Sequence, residues 1–325
     1  MMKISIIIPV FNEAENLLLL HQAIHKAMEP IKIPWQIIYV DDGSSDGSGQ
    51  TLAELAKADP EYVGVVELRR NFGQTAAIAA GIDNADGDVI VLLDADLQND
   101  PADIPMMIGK IEEGFDVVSG WRVNRQDKFF SRRLPSRIAN RLISIVTGVR
   151  LHDYGCSLKA YRREVITGFR LYGEMHRFIP AYASLVGSRI IEVPVNHYAR
   201  MYGKTKYGLG RTIKVILDLF TVKFLTSFVH KPIYLFGGVG ALLIGLSMAV
   251  LSFLLFNRIV FNEHMIRSPL LLMSMMLFIM GFQSILMGLI AELLARTYHE
   301  SQHKPTYTIR RVIMDGHETM RRGYD

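Results

Sequence analysis

A single cysteine, Cys156, in a chain of 325 residues leaves nothing for an intrachain disulfide and no second thiol for a cysteine-based zinc site. That scarcity excludes a disulfide scaffold and points to a reducing compartment. Excess charge of one sign is also scarce. A formal net charge of +4 argues against a nucleic-acid binder held by electrostatics, while leaving room for a basic surface near anionic lipid. The apolar stretch from Met1 to Pro9 is short, ends in proline and lacks a small-residue cleavage site, so it is not read as a signal peptide. No internal repeat, no low-complexity tract and no Q-x-x-R-W motif interrupts the chain.

What the chain does have, after about His230, is length without charge. Ile233 to Phe256 and Leu270 to Ala291 carry no charged residue, and each reaches the roughly 20 apolar residues that span a bilayer. Arg211, Lys214, Lys223 and Lys231 precede the first run, and Arg296, Lys304, Arg310 and Arg311 follow the second, whereas only Arg258 and Arg267 lie between. The positive-inside bias therefore places both termini in the cytoplasm, with two spans in the cytoplasmic membrane. Between Gly208 and His230 charges are spaced among large apolar residues, as in an amphipathic helix at a membrane surface. The expected organisation is a soluble domain over 1–207, an amphipathic segment over 208–230, a two-helix membrane domain over 231–296 and a cytoplasmic tail over 297–325. Within that tail, Pro305 to Ile313 alternates enough to form a strand. It is expected to add to a sheet edge, either in its own chain or in a neighbouring subunit of a homo-oligomer.

The soluble part alternates strand and helix patterns. Strands are expected at Lys3 to Pro9, Gln36 to Val40, Val63 to Leu68, Val89 to Leu93 and Phe115 to Ser119. Helices are expected near Ala14 to Met28, Ser48 to Ala58, Thr75 to Asn84 and Pro101 to Glu113. The fold class is α/β, with a mostly parallel sheet covered on both faces. In such sheets ligands bind beyond the carboxyl ends of the strands. Four polar segments, "PVFNE", "DDGSSDGS", "RRNFGQ" and "DADLQ", each follow an expected strand and should converge on one crevice.

"VLLDADLQND", Val91 to Asp100, carries the sharpest signal. Asp94 and Asp96 follow a buried strand, with Gln98 two residues on, so their side chains can address one place. Two such carboxylates raise each other's proton affinity unless a cation neutralises them. Their hard oxygens suit Mg2+ or Mn2+ better than zinc, and a site with so few protein ligands implies a diphosphate-bearing substrate. In "DDGSSDGS", Asp41 or Asp42 can accept hydrogen bonds from a base or ribose, while Asp46 or Ser48 fits a helix cap. In "PVFNE", Asn12 and Glu13 read either as a capping pair or as crevice residues. Cys156 reads as a small buried residue.

These segments, with "DVVSGWR", "DYGCSLKAYRR" and "YGKTKYG", resemble the inverting family-2 glycosyltransferases of GT-A fold, in the branch that glycosylates polyprenyl phosphates. That branch includes dolichyl-phosphate mannose synthases, bactoprenol glucosyltransferases and, through "NRQD" and "DYGC", undecaprenyl-phosphate aminoarabinose transferases. The resemblance covers Lys3 to about Tyr207, and the two following spans match the bacterial lipid-linked branch in layout. It implies a Rossmann-like GT-A domain in which Asp96 binds the metal with Asp94 and Gln98. It further implies that Pro9, Phe11, Glu13 and one of Asp41 or Asp42 line the nucleotide pocket, and that Asp153 faces the reaction centre. Where many members show D-x-G-x-R, this chain has "DYGCSLK", with Lys159 as the nearby base. A polyprenyl phosphate acceptor needs cations near the bilayer. Arg122, Arg200, Lys204 and Lys206 are the candidates, Arg200 and Lys206 by match to the acceptor loop, and Arg132 and Arg133 beside Phe129 and Phe130 form a further candidate membrane patch. The implied reaction passes one sugar from a nucleotide-diphosphate sugar, a UDP-sugar being the expected donor, to a polyprenyl phosphate such as undecaprenyl phosphate. A processive polysaccharide synthase needs more spans than two, and a non-catalytic membrane scaffold would not need Asp94 and Asp96.

Overall fold

The protein is described by a computed structural model covering residues 2–123, 140–141, 143–144, 147–167, 171, 175–199, 232–261, 268–301 and 307–320. The expected amphipathic segment at 208–230, the "NRQD" and "YGKTKYG" segments, and Phe129, Phe130, Arg132, Arg133, Arg200, Lys204 and Lys206 lie outside these residues. The chain divides into two compact units, Met1–Leu219 with Pro305–Asp325, and Phe220–Lys304.

The first unit starts as a regular alternation. It runs β1 (Ile4–Val10), α1 (Ala14–Met28), β2 (Trp35–Asp41), α2 (Ser48–Ala58), β3 (Val63–Leu68), α3 (Gln74–Asn84) and β4 (Val89–Leu92). A short 3-10 turn (Pro101–Asp103) leads into α4 (Ile104–Glu112) and β5 (Val117–Trp121). β6 (Lys159–Arg162), α5 (Arg163–Ile166), a 3-10 turn at Met175–Arg177, α6 (Ile179–Leu185) and β7 (Ile190–Pro194) follow. The nine-stranded sheet has the order β7-β5-β6-β4-β1-β2-β3-β8-β9, where β8 (Ile309–Met314) and β9 (His317–Met320) come from the C-terminal end of the chain.

β1, β2, β3 and β4 are mutually parallel, and β6 runs antiparallel between β4 and β5. The order is set by which strands can be buried on both faces. β1 is apolar at nearly every position, and its side chains alternate. Ile4, Ile6, Ile8 and Val10 enter the core with Leu17, Leu20 and Ile24 of α1, while Ile7 meets α3. A β-carbon on Gly81 of α3 would lie 2.3 Å from Ile7 and 3.2 Å from Val40, so this glycine lets the helix rest on the sheet. The chain passes from β1 through β2 to β3 on one side and then returns to place β4 on the other flank of β1. The reversal puts a topological switch point between β1 and β4, where crevices form in open α/β sheets.

β8 meets the expected sheet edge, and of the two edges open to it the one it takes is in its own chain: the C-terminal strand pairs antiparallel with β3. Glu67 of β3 is buried and ion-pairs with Arg310 (Nη1 to Oε1, 2.9 Å) and Arg311. Tyr307 Oη donates to Asp83 Oδ2 of α3 at 2.6 Å. The segment expected as a separate tail over 297–325 thus begins inside a helix and then supplies two strands to the sheet.

The second unit contains α7 (Pro232–Phe261) and α8 (Pro269–Ser301). Its apolar windows, Phe236–Phe261 and Pro269–Ile290, have mean hydropathies of 2.5 and 2.1, yet only 17% and 11% of these windows is buried. Core helices of a water-soluble protein hide such surfaces; these leave them outward, as helices surrounded by lipid do. The two helices meet through small residues. A β-carbon on Gly240 would lie 2.6 Å from the Gly281 carbonyl, and one on Gly281 would lie 2.7 Å from the Gly240 carbonyl. Ser247 Oγ donates to the Ser274 carbonyl at 2.7 Å and Ser284 Oγ to the Phe236 carbonyl at 2.8 Å, the close approach and polar bonding that join helices in lipid.

Candidate active site

The loops after β1, β2 and β3 are stitched together by short side chains. Asn12 takes a left-handed φ of 53°; its N–H donates to Ser44 Oγ at 2.9 Å, and its Oδ1 accepts from the Ser45 N–H at 2.8 Å. Ser48 Oγ accepts from the Glu13 N–H at 3.0 Å, and Glu13 Oε2 accepts from Asn16 Nδ2 at 2.6 Å. Asp46 accepts from the Ala14 N–H at 3.1 Å and from the Ser48 N–H at 3.0 Å. It thereby serves the N-termini of both α1 and α2, the capping role expected of it in a wider form.

Asp41 and Asp42 are both buried. Asp41 Oδ1 accepts from the Ser44 N–H at 3.0 Å. Asp42 accepts from the Phe72 N–H at 2.7 Å and the Gly73 N–H at 2.9 Å, which fixes the "RRNFGQ" loop to the "DDGSSDGS" loop. Burial raises both carboxyl groups above the ordinary range, Asp42 to about 6. Pro9 and Phe11, at the end of β1 and just beyond it, are partly exposed at the rim of this loop cluster.

On the other flank of the switch point, β4 ends at Leu92 and delivers Asp94 and Asp96. Asp94 Oδ1 accepts from Gln74 Nε2 at 2.8 Å. Burial pushes its carboxyl up to about 6, and the charge of Asp96 adds to the rise; a hydrogen bond from Ser157 and the charges of Arg122 and Arg177 oppose it. Asp96 is buried and accepts from the Gln98 N–H at 3.2 Å. Between them Leu97 holds φ at 57°, a left-handed conformation that a branched side chain adopts at a cost, the kind of strain that clusters at functional sites. The Gln98 carbonyl accepts from the Tyr198 N–H at 2.9 Å, and Tyr198 Oη donates to Asp100 Oδ2 at 3.0 Å, so residues beyond β7 hold the carboxylate turn in place. Two hard carboxylates at a partly buried turn, one of them pushed towards protonation by burial and then by the other's charge, fit a divalent cation such as Mg2+ or Mn2+.

Asp153 lies in the connection between β5 and β6 and is buried. Arg122 grips it in the two-pronged geometry natural to guanidinium, with Nε to Oδ2 at 2.6 Å and Nη2 to Oδ1 at 2.9 Å. Glu192 of β7 accepts from the N–H groups of His152 and Asp153, each at 2.9 Å, and His152 stacks on Trp121 with ring centroids 4.4 Å apart. Arg122, expected as an acceptor-phosphate cation, therefore has Asp153 as its immediate partner, within electrostatic reach of Asp94. Lys159 is buried in β6 and donates to the Tyr154 carbonyl at 3.0 Å; burial lowers its pKa to about 8. Cys156 is the buried small residue expected, its thiol pushed up to about 11 by burial.

The pattern left several residues unmarked. Gln74 and Ser157 reach Asp94, Arg177 acts on it through its charge, and Glu192 orders the Asp153 turn. His176, beside Arg177, hydrogen-bonds through Nδ1 to Thr75 Oγ1 of α3 at 2.7 Å. Only Gln74 had a signal, as the last residue of a polar segment after a strand; the others lie in irregular or short elements with no periodicity to mark them.

Residues 5–169 match the family described as glycosyl transferase family 2. The chain belongs to that family. Membership of glycosyl transferase family 2 makes the chain a glycosyltransferase. The chain is 42% identical over 317 residues, 97% of its length and 94% of the relative's, to a protein named dodecaprenyl-phosphate galacturonate synthase from Rhizobium johnstonii. It is 40% identical over 315 residues, again 97% and 94% of the two lengths, to one named undecaprenyl-phosphate 4-deoxy-4-formamido-L-arabinose transferase from an Enterobacter species. Among solved structures, it is similar in fold to glucosyl-3-phosphoglycerate synthase from Mycobacterium tuberculosis, a structure containing Mn2+ and UDP-glucose. The TM-score is 0.52 at 19% identity, covering 68% of this chain and 79% of the other.

Proposed function

We propose that this protein transfers one sugar from a nucleotide-diphosphate sugar to a polyprenyl phosphate, with inversion at the anomeric carbon, at the cytoplasmic face of the membrane. The observation that carries the donor half is the Asp94 and Asp96 pair at the switch point, Asp96 buried and Asp94 pushed up to about 6 by burial and by the charge of Asp96. The acceptor half is supported by two relatives, each similar over nearly the whole chain and each named for a polyprenyl-phosphate product. Two apolar helices would keep the catalytic domain beside a lipid-borne acceptor, and the distribution of Lys and Arg around them favours cytoplasmic termini.

Asp94, Asp96 and Gln98 would hold Mg2+ or Mn2+, which when bound neutralises charge on the departing nucleotide diphosphate. The loops bearing Pro9, Phe11, Glu13, Asp41 and Asp42 would form the nucleotide side of the crevice, rigid because Asp42 and Asp46 tie them to each other. The acceptor oxygen belongs to a phosphate monoester whose second pKa is about 6, so it is largely ionised near neutral pH and needs no strong base. Asp153, held by Arg122, would orient the acceptor or the sugar; alignment of the two substrates supplies much of the acceleration. Arg200 and Lys206 are proposed as acceptor-phosphate contacts on sequence grounds. A processive synthase is disfavoured by the two spans.

The test is to incubate the full-length protein in detergent with divalent metal, a polyprenyl phosphate and a panel of labelled nucleotide sugars. A lipid bearing one sugar supports the reading. Long polymer supports the synthase, and no transfer from any donor supports a scaffold.

A further inference from the structure

At the opposite end of the strands from the carboxylate pair, two histidines and an aspartate converge. α1 runs back from the carboxyl ends of the strands, so His21 and His25, one helical turn apart, face the same way near its C-terminus. Asp59 caps the C-terminus of α2, where its N–H donates to the Leu55 carbonyl at 2.9 Å and its own carbonyl accepts from the Val63 N–H at 3.0 Å. Its Oδ2 lies 2.7 Å from His25 Nε2 and 3.6 Å from His21 Nε2. One nitrogen from each ring and a carboxylate oxygen all lie within 4.8 Å of one another.

The surroundings are those of a ligand set. His25 Nε2 and Asp59 Oδ2 face each other directly, while His21 Nδ1 and the hydroxyl of Tyr39, which lies within electrostatic reach of Asp59, are buried atoms with no hydrogen-bond partner among the described residues. His25 is braced edge-on by Trp35 and Tyr62, at centroid distances of 4.9 Å and 5.4 Å. A simple ion pair would use one histidine and satisfy its own atoms; here a second ring points at the same oxygen.

We propose that His21, His25 and Asp59 form a second metal site, selective for zinc over magnesium, that pins the C-terminus of α1 to that of α2. Two imidazoles and one carboxylate are a zinc donor set, with water completing four-coordination, whereas the hard oxygens of Asp94 and Asp96 suit magnesium or manganese. The length of β2, about 20 Å at roughly 3.3 Å per residue, separates the two ends, so this zinc takes no part in sugar transfer.

The experiment uses tag-free, full-length protein in detergent, stripped with chelator and kept in millimolar Mg2+ to occupy the carboxylate site. Zinc is titrated against a chromophoric chelator, and thermal unfolding is followed in parallel. The wild type should bind one zinc per chain and unfold at a higher temperature with it. His21→Gln and Asp59→Asn should each weaken zinc at least about tenfold and lose the thermal gain, while Asp96→Asn should keep both. Absence of stoichiometric zinc in the wild type, unchanged affinity in both variants, or loss of the site in Asp96→Asn alone would overturn the proposal.

Discussion

Replacing Arg122 with methionine isolates what the Asp153 clamp is worth. Both side chains are largely withdrawn from water, 13% and 3% exposed, and joined by two hydrogen bonds. Removing one member of such a pair leaves the other charge buried and costs about 3–5 kcal/mol, whereas exchanging both for apolar groups is often close to neutral. At about 2–4 °C per kcal/mol for a domain of this size, Arg122→Met should lower the unfolding temperature by roughly 6–20 °C. The Gly155 N–H, which also donates to Asp153 Oδ1 at 3.1 Å, places the loss towards the lower part of that span. Asp153→Leu alone should cost less, because Arg122 keeps the nearby charge of Asp94. The double variant Arg122→Met/Asp153→Leu should recover most of the stability and none of the sugar transfer. Fluorescence-monitored unfolding of the full-length protein, with transfer measured on the same samples, gives both readouts. An Arg122→Met protein unfolding within a degree of wild type would refute the desolvated pair, and normal transfer by the double variant would refute any role for Asp153 in positioning substrate.

Asp94→Asn should stabilise the metal-free protein at pH 7.5 and change little at pH 4. The sign follows from a carboxyl whose folded pKa, about 6, exceeds its unfolded value near 3.8. Its contribution to stability is full below the unfolded value and is lost as pH rises through about 6, by an amount on the order of 1–3 kcal/mol; unfolding curves at the two pH values check it, and a variant that destabilises at pH 7.5 contradicts it. Gly81→Ala should cost about 1–3 kcal/mol through overpacking against Ile7, read as a lower unfolding temperature with unaltered KM. Gly281→Leu should force α7 and α8 apart at Gly240, which a lower unfolding temperature and faster proteolysis of the membrane unit would register, against no change if the helices do not cross there.

Much of the soluble fold was legible because its signals are local. Ser48–Ala58 and Ala14–Met28 fall where their apolar spacing puts them, and Val63–Leu68 where its β-branched run does. β6 and β7 were not legible, because "KAYR" and "IIEVP" are short and become strands through neighbours, β4 and β5, that lie far away in sequence. The partner of the C-terminal strand was invisible for the same reason: its alternation predicts a strand, but the Glu67 that pairs with Arg310 and Arg311 lies more than 240 residues earlier. In the site, the carboxylates were readable because they follow a strand at fixed spacing. That Arg122 belongs to Asp153 depends on β5 and the turn before β6 being brought together, which no spacing encodes.

The most direct measurement is the metal dependence of single-sugar lipid formation. Full-length protein and Asp96→Asn would be given polyprenyl phosphate and the preferred nucleotide sugar, with chelator or with Mg2+ or Mn2+, and the lipid products weighed by mass spectrometry. The wild type with metal should yield a polyprenyl phosphate carrying one sugar, and none should form with chelator or with Asp96→Asn. The same product at an equal rate in chelator, or from Asp96→Asn, would contradict the assignment of the Asp94 and Asp96 turn as the donor site.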